Sequence, residues 1–141
     1  MYKKYLSNAK ECINGSECYY AGMIKNLDGT NERNYDYFTS PKLILNDGTL
    51  IMFELSSKSC SSYSEAPYGI YSYCALMFVD INGAKKPNTW GRDNFQFLLT
   101  EAGLKPRGCG ITNPGYCTYG NGQGAGHACA CKVLHENAMN Y

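Results

Sequence analysis

YCALMFVDINGAKKPNTWGRDNFQFLLT, Tyr73 to Thr100, is the stretch on which the fold turns. Apolar runs close it at both ends. IYSYCALMFVDI, residues 70 to 81, carries no charge before Asp80, which predicts one long central strand covered on both faces. After the insert, Phe95, Phe97 and Leu99 alternate with Asn94, Gln96 and Leu98, the period of a further strand. The insert itself holds Asp80, Asn82, Asn88 and Asp93, with Gly83, Gly91, Pro87, Lys85, Lys86, Arg92 and the single tryptophan, Trp90. Two readings compete for it. Carboxylate and amide oxygens are hard donors that can encircle calcium, so Asp80, Asn82, Asn88 and Asp93 are the candidate metal ligands. The spacing is not that of an EF-hand, because Gly83 follows Asp80 by three residues. The other reading makes Asn82-Gly83 and Pro87-Asn88 successive turns whose Asp and Asn side chains bond their own backbone. Trp90 and Gly91 then return the chain to the sheet, and Arg92 pairs with Asp80 or Asp93.

Upstream, LILNDGTLIMFEL sets β-rich runs at 43 to 45 and 49 to 55 around Asn46-Asp47-Gly48, a hairpin signal. The Ser-rich segment that follows reads as a crossing loop tied down by Cys60. From Cys18 to Pro41 the pattern is polar and reads mainly as loop. Tyr2, Tyr5, Leu6, Ala9 and Ile13 fall at helical spacing, which predicts an amphipathic helix over residues 2 to 13 that stops at Asn14-Gly15. Asn14-Gly15-Ser16 also spells a glycosylation acceptor. Near the end, residues 128 to 137 predict a short helix with Ala130, Cys131, Leu134 and Ala138 on one side. Glycines at 120, 122, 124 and 126 lack the strand before and the Lys-Ser/Thr after that a phosphate-binding loop needs.

The totals set the class. A chain of 141 residues, 44% hydrophobic, supports a single domain, residues 1–141. A net charge of +1 offers no field for nucleic acid or an acidic membrane. Eight cysteines, Cys12, Cys18, Cys60, Cys74, Cys109, Cys117, Cys129 and Cys131, are spread along the chain without paired zinc spacing. They read as structural disulfides in an oxidising compartment. The N-terminus has neither the apolar region nor the cleavage site of an export signal, so the expectation is that such a segment lay upstream of Tyr2. His127 and His135 stand in no nucleophile, zinc or triad pattern, and the carboxylates form no convincing pair. The chain is not expected to be an enzyme. A secreted carbohydrate- or surface-binding module, stacking ligands on Tyr68, Tyr71, Tyr73, Tyr116 and Tyr119, is the alternative from another class.

FVDINGAKKPNTWGRDNFQFLLTEAGLKP is similar to a segment of bacterial type IV pilin-like and type II secretion pseudopilin-like proteins. There a strand ending Val-Asp-x-Asn-Gly runs through Pro-Asn-x-x-Gly-x-Asp into a Phe-x-Phe strand. CACKVLHENAMNY resembles their closing Cys-rich helix and terminal Tyr. The likeness covers residues 75 to 106 and, more loosely, 127 to 141. It implies an extracellular or periplasmic filament subunit, a pilin-like domain in which residues 1–13 are the remnant of a longer helix. That helix's apolar half would anchor the precursor in the inner membrane and later pack against other subunits, and the fragment without it would be monomeric. The resemblance requires no cofactor, although some pseudopilins hold calcium beside the sheet. The expected fold is α+β: an N-terminal helix packed on an antiparallel sheet of three or four strands, disulfide-stapled loops and a short C-terminal helix. Cys12 with Cys18 and Cys60 with Cys74 are the pairings considered, the later four cysteines pairing among themselves.

Overall fold

The computed structural model describes residues 9–12, 24–32, 42–64, 71–83, 85–109, 117 and 124–140. In chain order the strands are β1 (Lys10–Cys12), β2 (Lys42–Ile44), β3 (Leu50–Leu55), β4 (Ser62–Ser64), β5 (Tyr71–Tyr73), β6 (Ala75–Asp80), β7 (Asn94–Thr100) and β8 (Gly103–Pro106), followed by the helix α1 (Cys129–Glu136). Six of them form one antiparallel sheet in the order β1-β2-β3-β6-β7-β8, while β4 and β5 make a separate ribbon. The β2-β3 hairpin forms where its turn residues predict. Leu45 N–H donates to Thr49 O at 2.9 Å, Asp47 Oδ1 accepts the Thr49 N–H at 2.9 Å, and Gly48 takes φ +92°.

Register assigns the side chains. Met52 stands opposite Phe78 and Phe78 opposite Gln96, while Leu50, Asp80 and Asn94 form the next rung on the same face. On that face Leu50, Met52, Leu76, Phe78 and Leu98 pack with Trp90 and Ile24 into the main core. The opposite face carries Ile51, Phe53, Met77, Val79, Phe95 and Phe97, of which only Phe95 is fully buried. β6 was expected to be covered on both sides; it is closed on one side and half-covered on the other.

The expected α+β arrangement is corrected at its N-terminal end. Lys10–Cys12, placed in the predicted helix, is the edge strand β1, with Glu11 opposite Leu43. A lone helix of about a dozen residues is marginal in water, and here pairing with β2 prevails over the helical spacing. Residues 2 to 8 and 13 lie outside the described set. The sheet has six strands instead of three or four because β1 and β8 extend both edges. β8 carries no strand signal in the sequence, since Gly-Leu-Lys-Pro has weak strand propensity. The antiparallel sheet and the C-terminal helix stand, α1 ending at Asn137 in the left-handed conformation. The predicted strand 70 to 81 breaks at Cys74, whose carbonyl accepts the N–H groups of Ser56 and Ser57, each at 2.9 Å, and whose sulfur bonds Cys60. Within the expected loop, Ile24, Asn26 and Leu27 are buried, so part of this polar segment serves as core.

Candidate functional site

The insert between β6 and β7 is held by its two aspartates. Asp80 Oδ1 accepts the N–H of Asn82 at 3.1 Å and of Gly83 at 2.8 Å, closing the first turn. Asp93 does more. Its Oδ2 accepts Asn88 N–H at 2.6 Å and Asn82 Nδ2 at 3.1 Å; its Oδ1 accepts Thr89 N–H at 2.5 Å and Asn94 Nδ2 at 3.1 Å. The four candidate ligands Asp80, Asn82, Asn88 and Asp93 are thus brought together, in the hydrogen bonds of the turn reading. Two N–H donors on each Asp93 oxygen fill that carboxylate's acceptor capacity, so a cation binding it would have to displace them. The side-chain oxygens of Asn82, Asn88 and Asn94 are buried and accept no hydrogen bond. Arg92 is exposed; its backbone N–H donates to Thr89 O at 3.1 Å, and its side chain forms no ion pair among the described residues. Asn88 adopts φ +52°, a conformation asparagine tolerates better than most residues.

The clasp delivers Trp90 to the core. Trp90 is fully buried, its backbone N–H donates to Lys25 O at 2.9 Å, and its ring lies 5.9 Å from Phe78 and 4.7 Å, edge-on, from His127. Gly91, at φ +80°, touches the C-terminal segment so closely that an added Cβ would stand 2.9 Å from Cys129 Sγ. A Cβ on Gly126 would collide with the Trp90 backbone. Next to this contact His127 Nε2 lies 3.0 Å from Glu32 Oε2, both side chains buried. Burial pushes the His127 imidazole below its ordinary range; the Glu32 hydrogen bond and charge oppose the shift, and the Arg107 charge adds to it. In the neutral tautomer protonated at Nε2, the ring donates to the Glu32 carboxylate. Burial likewise pushes the Lys42 ammonium down.

Three bridges join described cysteines: Cys60–Cys74, Cys109–Cys131 and Cys117–Cys129. The first is a pairing the sequence suggested, and the later four do pair among themselves. Cys12 lies in β1, and Cys18 is outside the described residues. Cys109 is brought to α1 by the strap after β8: Cys131 N–H donates to Arg107 O at 3.1 Å, and Gly108 packs against the Ala128 carbonyl too tightly for a side chain. His135, one turn beyond Cys131, is exposed, with a ring nitrogen within 4.8 Å of both sulfurs of that bridge.

α1 leaves a groove against the second sheet face. A cavity of about 260 Å³ is lined by Val79, Ile81, Phe95, Phe97, Val133 and Leu134, with Ala130 and Met139 completing it. The helix buries Cys129, Ala130 and Cys131, whereas Leu134, predicted to face inward with them, is 61% exposed at the groove's rim. Of the tyrosines proposed as stacking platforms, Tyr73 is half-buried against the core and Tyr71 lies in β5; Tyr68, Tyr116 and Tyr119 are outside the described residues. The buried His127–Glu32 pair escaped sequence reasoning because its members stand 95 positions apart. The groove went unnoticed because its residues come from two strands and the helix. In comparison with known proteins, no family description, no curated sequence and no solved structure matches this chain.

Proposed function

We propose that the protein is an assembly subunit of an extracellular or periplasmic filament of the pilus or pseudopilus kind, and works by subunit contact without turnover. The observation that carries this reading is the apolar groove between α1 and the second sheet face. Its rim leaves Ile81, Leu134 and Met139 about half exposed or more, so the groove offers apolar side chains to a partner. The occupant is an apolar element of a neighbouring subunit. Two further features support it. The bridges suit a small-core domain that must survive outside the cell. The pilin-like motif residues Asp80, Asn82, Gly83, Asn88, Gly91 and Asp93 act here as loop architecture, which a filament needs to present a fixed surface.

The test is immunogold electron microscopy of the producing cells with an antibody against the oxidised domain. Label along surface filaments, or along a periplasmic assembly, is the expected result. Label confined to a reduced cytosolic pool overturns the proposal. A Leu134→Asp variant that keeps its disulfides but no longer enters the filament would locate the contact at the groove.

A further inference from the structure

The C-terminal staples contain an unusual juxtaposition. Cys129 and Cys131 are one residue apart on the first turn of α1, and their partners Cys117 and Cys109 reach the same turn from two separate segments. Mispairing between these four sulfurs is therefore a short move away during folding. The two bridges are unequal in surroundings. Cys117 and Cys129 are 4% and 0% exposed and belong to a small core with Leu27 and Ala125. In the other bridge Cys131 is 7% exposed, but Cys109 is half-buried and the exposed His135 stands beside the two sulfurs.

We propose that Cys109–Cys131, with His135, is a thiol-exchange site through which a dithiol oxidoreductase opens and resets the C-terminal pairing. The chemistry needs three things the geometry supplies: an attackable sulfur, a stabilised leaving thiolate and a path for a proton. A thiolate of the incoming dithiol attacks Cys109 Sγ. As the new S–S bond forms, the Cys109–Cys131 bond breaks and its electron pair leaves on Cys131 Sγ. That sulfur sits at the start of a helix and within reach of the His135 ring, which stabilises the negative charge or protonates it. The second thiol then attacks the mixed disulfide, releasing Cys109 as a thiol and leaving the reductant oxidised by two electrons. The reverse sequence, with an oxidised dithiol, closes the bridge. His135 is a positioning and proton-handling residue whose side chain is otherwise free of the core. This inference does not depend on the filament reading.

The experiment treats the oxidised protein with limiting dithiothreitol, quenches with N-ethylmaleimide at intervals and maps the labelled cysteines by mass spectrometry. Cys109 and Cys131 should be labelled about tenfold faster than Cys117 and Cys129. His135→Ala should slow that opening roughly three- to tenfold, and His135→Lys, which places a cation there, should hold it near the wild-type rate. The Cys60–Cys74 rate serves as internal control and should be the same in all three proteins. Faster opening of Cys117–Cys129, or an Ala variant indistinguishable from wild type, overturns the proposal.

Discussion

Asp93→Ala is the most direct test of the clasp. The carboxylate satisfies two backbone N–H groups, those of Asn88 and Thr89, and both residues are buried. Removing it leaves these buried donors without their acceptor. Each such group costs about 1–3 kcal/mol, so the pair predicts a loss of about 2–6 kcal/mol, before the side-chain amides of Asn82 and Asn94 lose their acceptor too. Against a typical total of about 5–15 kcal/mol, that loss is large enough to read without ambiguity. Asp93→Asn keeps one oxygen but turns an NH₂ toward a pair of N–H donors, and should lie between the two. The assay is urea unfolding followed by tryptophan emission, which reports on one residue because Trp90 is the only tryptophan and is fully buried. In the native Ala variant the emission should also move to longer wavelength, since the loop that inserts the ring is released. An Asp93→Ala protein within about 0.5 kcal/mol of wild type, with unchanged emission, would refute the view that this carboxylate builds the loop.

Three further outcomes follow from the same geometry. Because N–H donors occupy Asp93, millimolar calcium or its chelation should change the unfolding free energy from urea titration by less than about 0.3 kcal/mol; stabilisation that grows with calcium concentration and vanishes in Asp80→Asn would reassign the clasp as a cation site. The His127 imidazole is held below its ordinary value near 6.5, so the unfolded chain binds its proton first on acidification. Its contribution to stability is therefore complete above pH 6.5 and is lost as pH falls through the lower folded value. A His127→Gln protein should show a flatter slope of midpoint against pH in that window, and an identical slope would discount the residue. Gly91→Ala places a methyl group 2.9 Å from Cys129 Sγ at a φ of +80°, and thermal denaturation should report a loss of about 1–3 kcal/mol.

Local signals were legible here to the extent that local chemistry set the outcome. Asn46-Asp47-Gly48 marks a tight turn by itself, and the alternation around Phe95 and Phe97 needs no partner to be read as strand. The end of α1 at Asn137 follows from the same kind of local cue. The N-terminal segment misled because its apolar spacing is helical, whereas the backbone of Lys10–Cys12 pairs with a strand 30 or more positions away. Competition between a short helix and a vacant sheet edge is decided by tertiary contact. The break at Cys74 was hidden for a related reason: an unbroken apolar run cannot show where a disulfide and two carbonyl hydrogen bonds will bend it. The candidate ligands of the insert were found by residue type, yet their role is set by which atoms point inward. Sequence offers oxygens in both cases.

The two halves of the molecule's surface differ for a physical reason that bears on its use. On one face of the sheet, Trp90 and Ile24 close the core from segments with no regular structure, so their backbone polar groups need partners of their own. They find them in one another: Leu27 N–H donates to Ala125 O at 2.8 Å, Gly124 N–H to Asn26 Oδ1 at 3.1 Å, and the insert is tied through Asp80 and Asp93. The Cys117–Cys129 bridge fastens the same region from behind. Stabilising interactions are thus concentrated on that side. The other face meets α1, a helix only eight residues long, and it keeps Met77, Val79 and Phe97 half-buried. A face built of strands is rigid, and this one is half-covered. Rigidity with apolar area left accessible favours burial against a second body at little cost in conformational entropy, since the side chains and backbone are already ordered. In the proposed assembly, this half-covered face beside α1 is the one that would meet a neighbouring subunit.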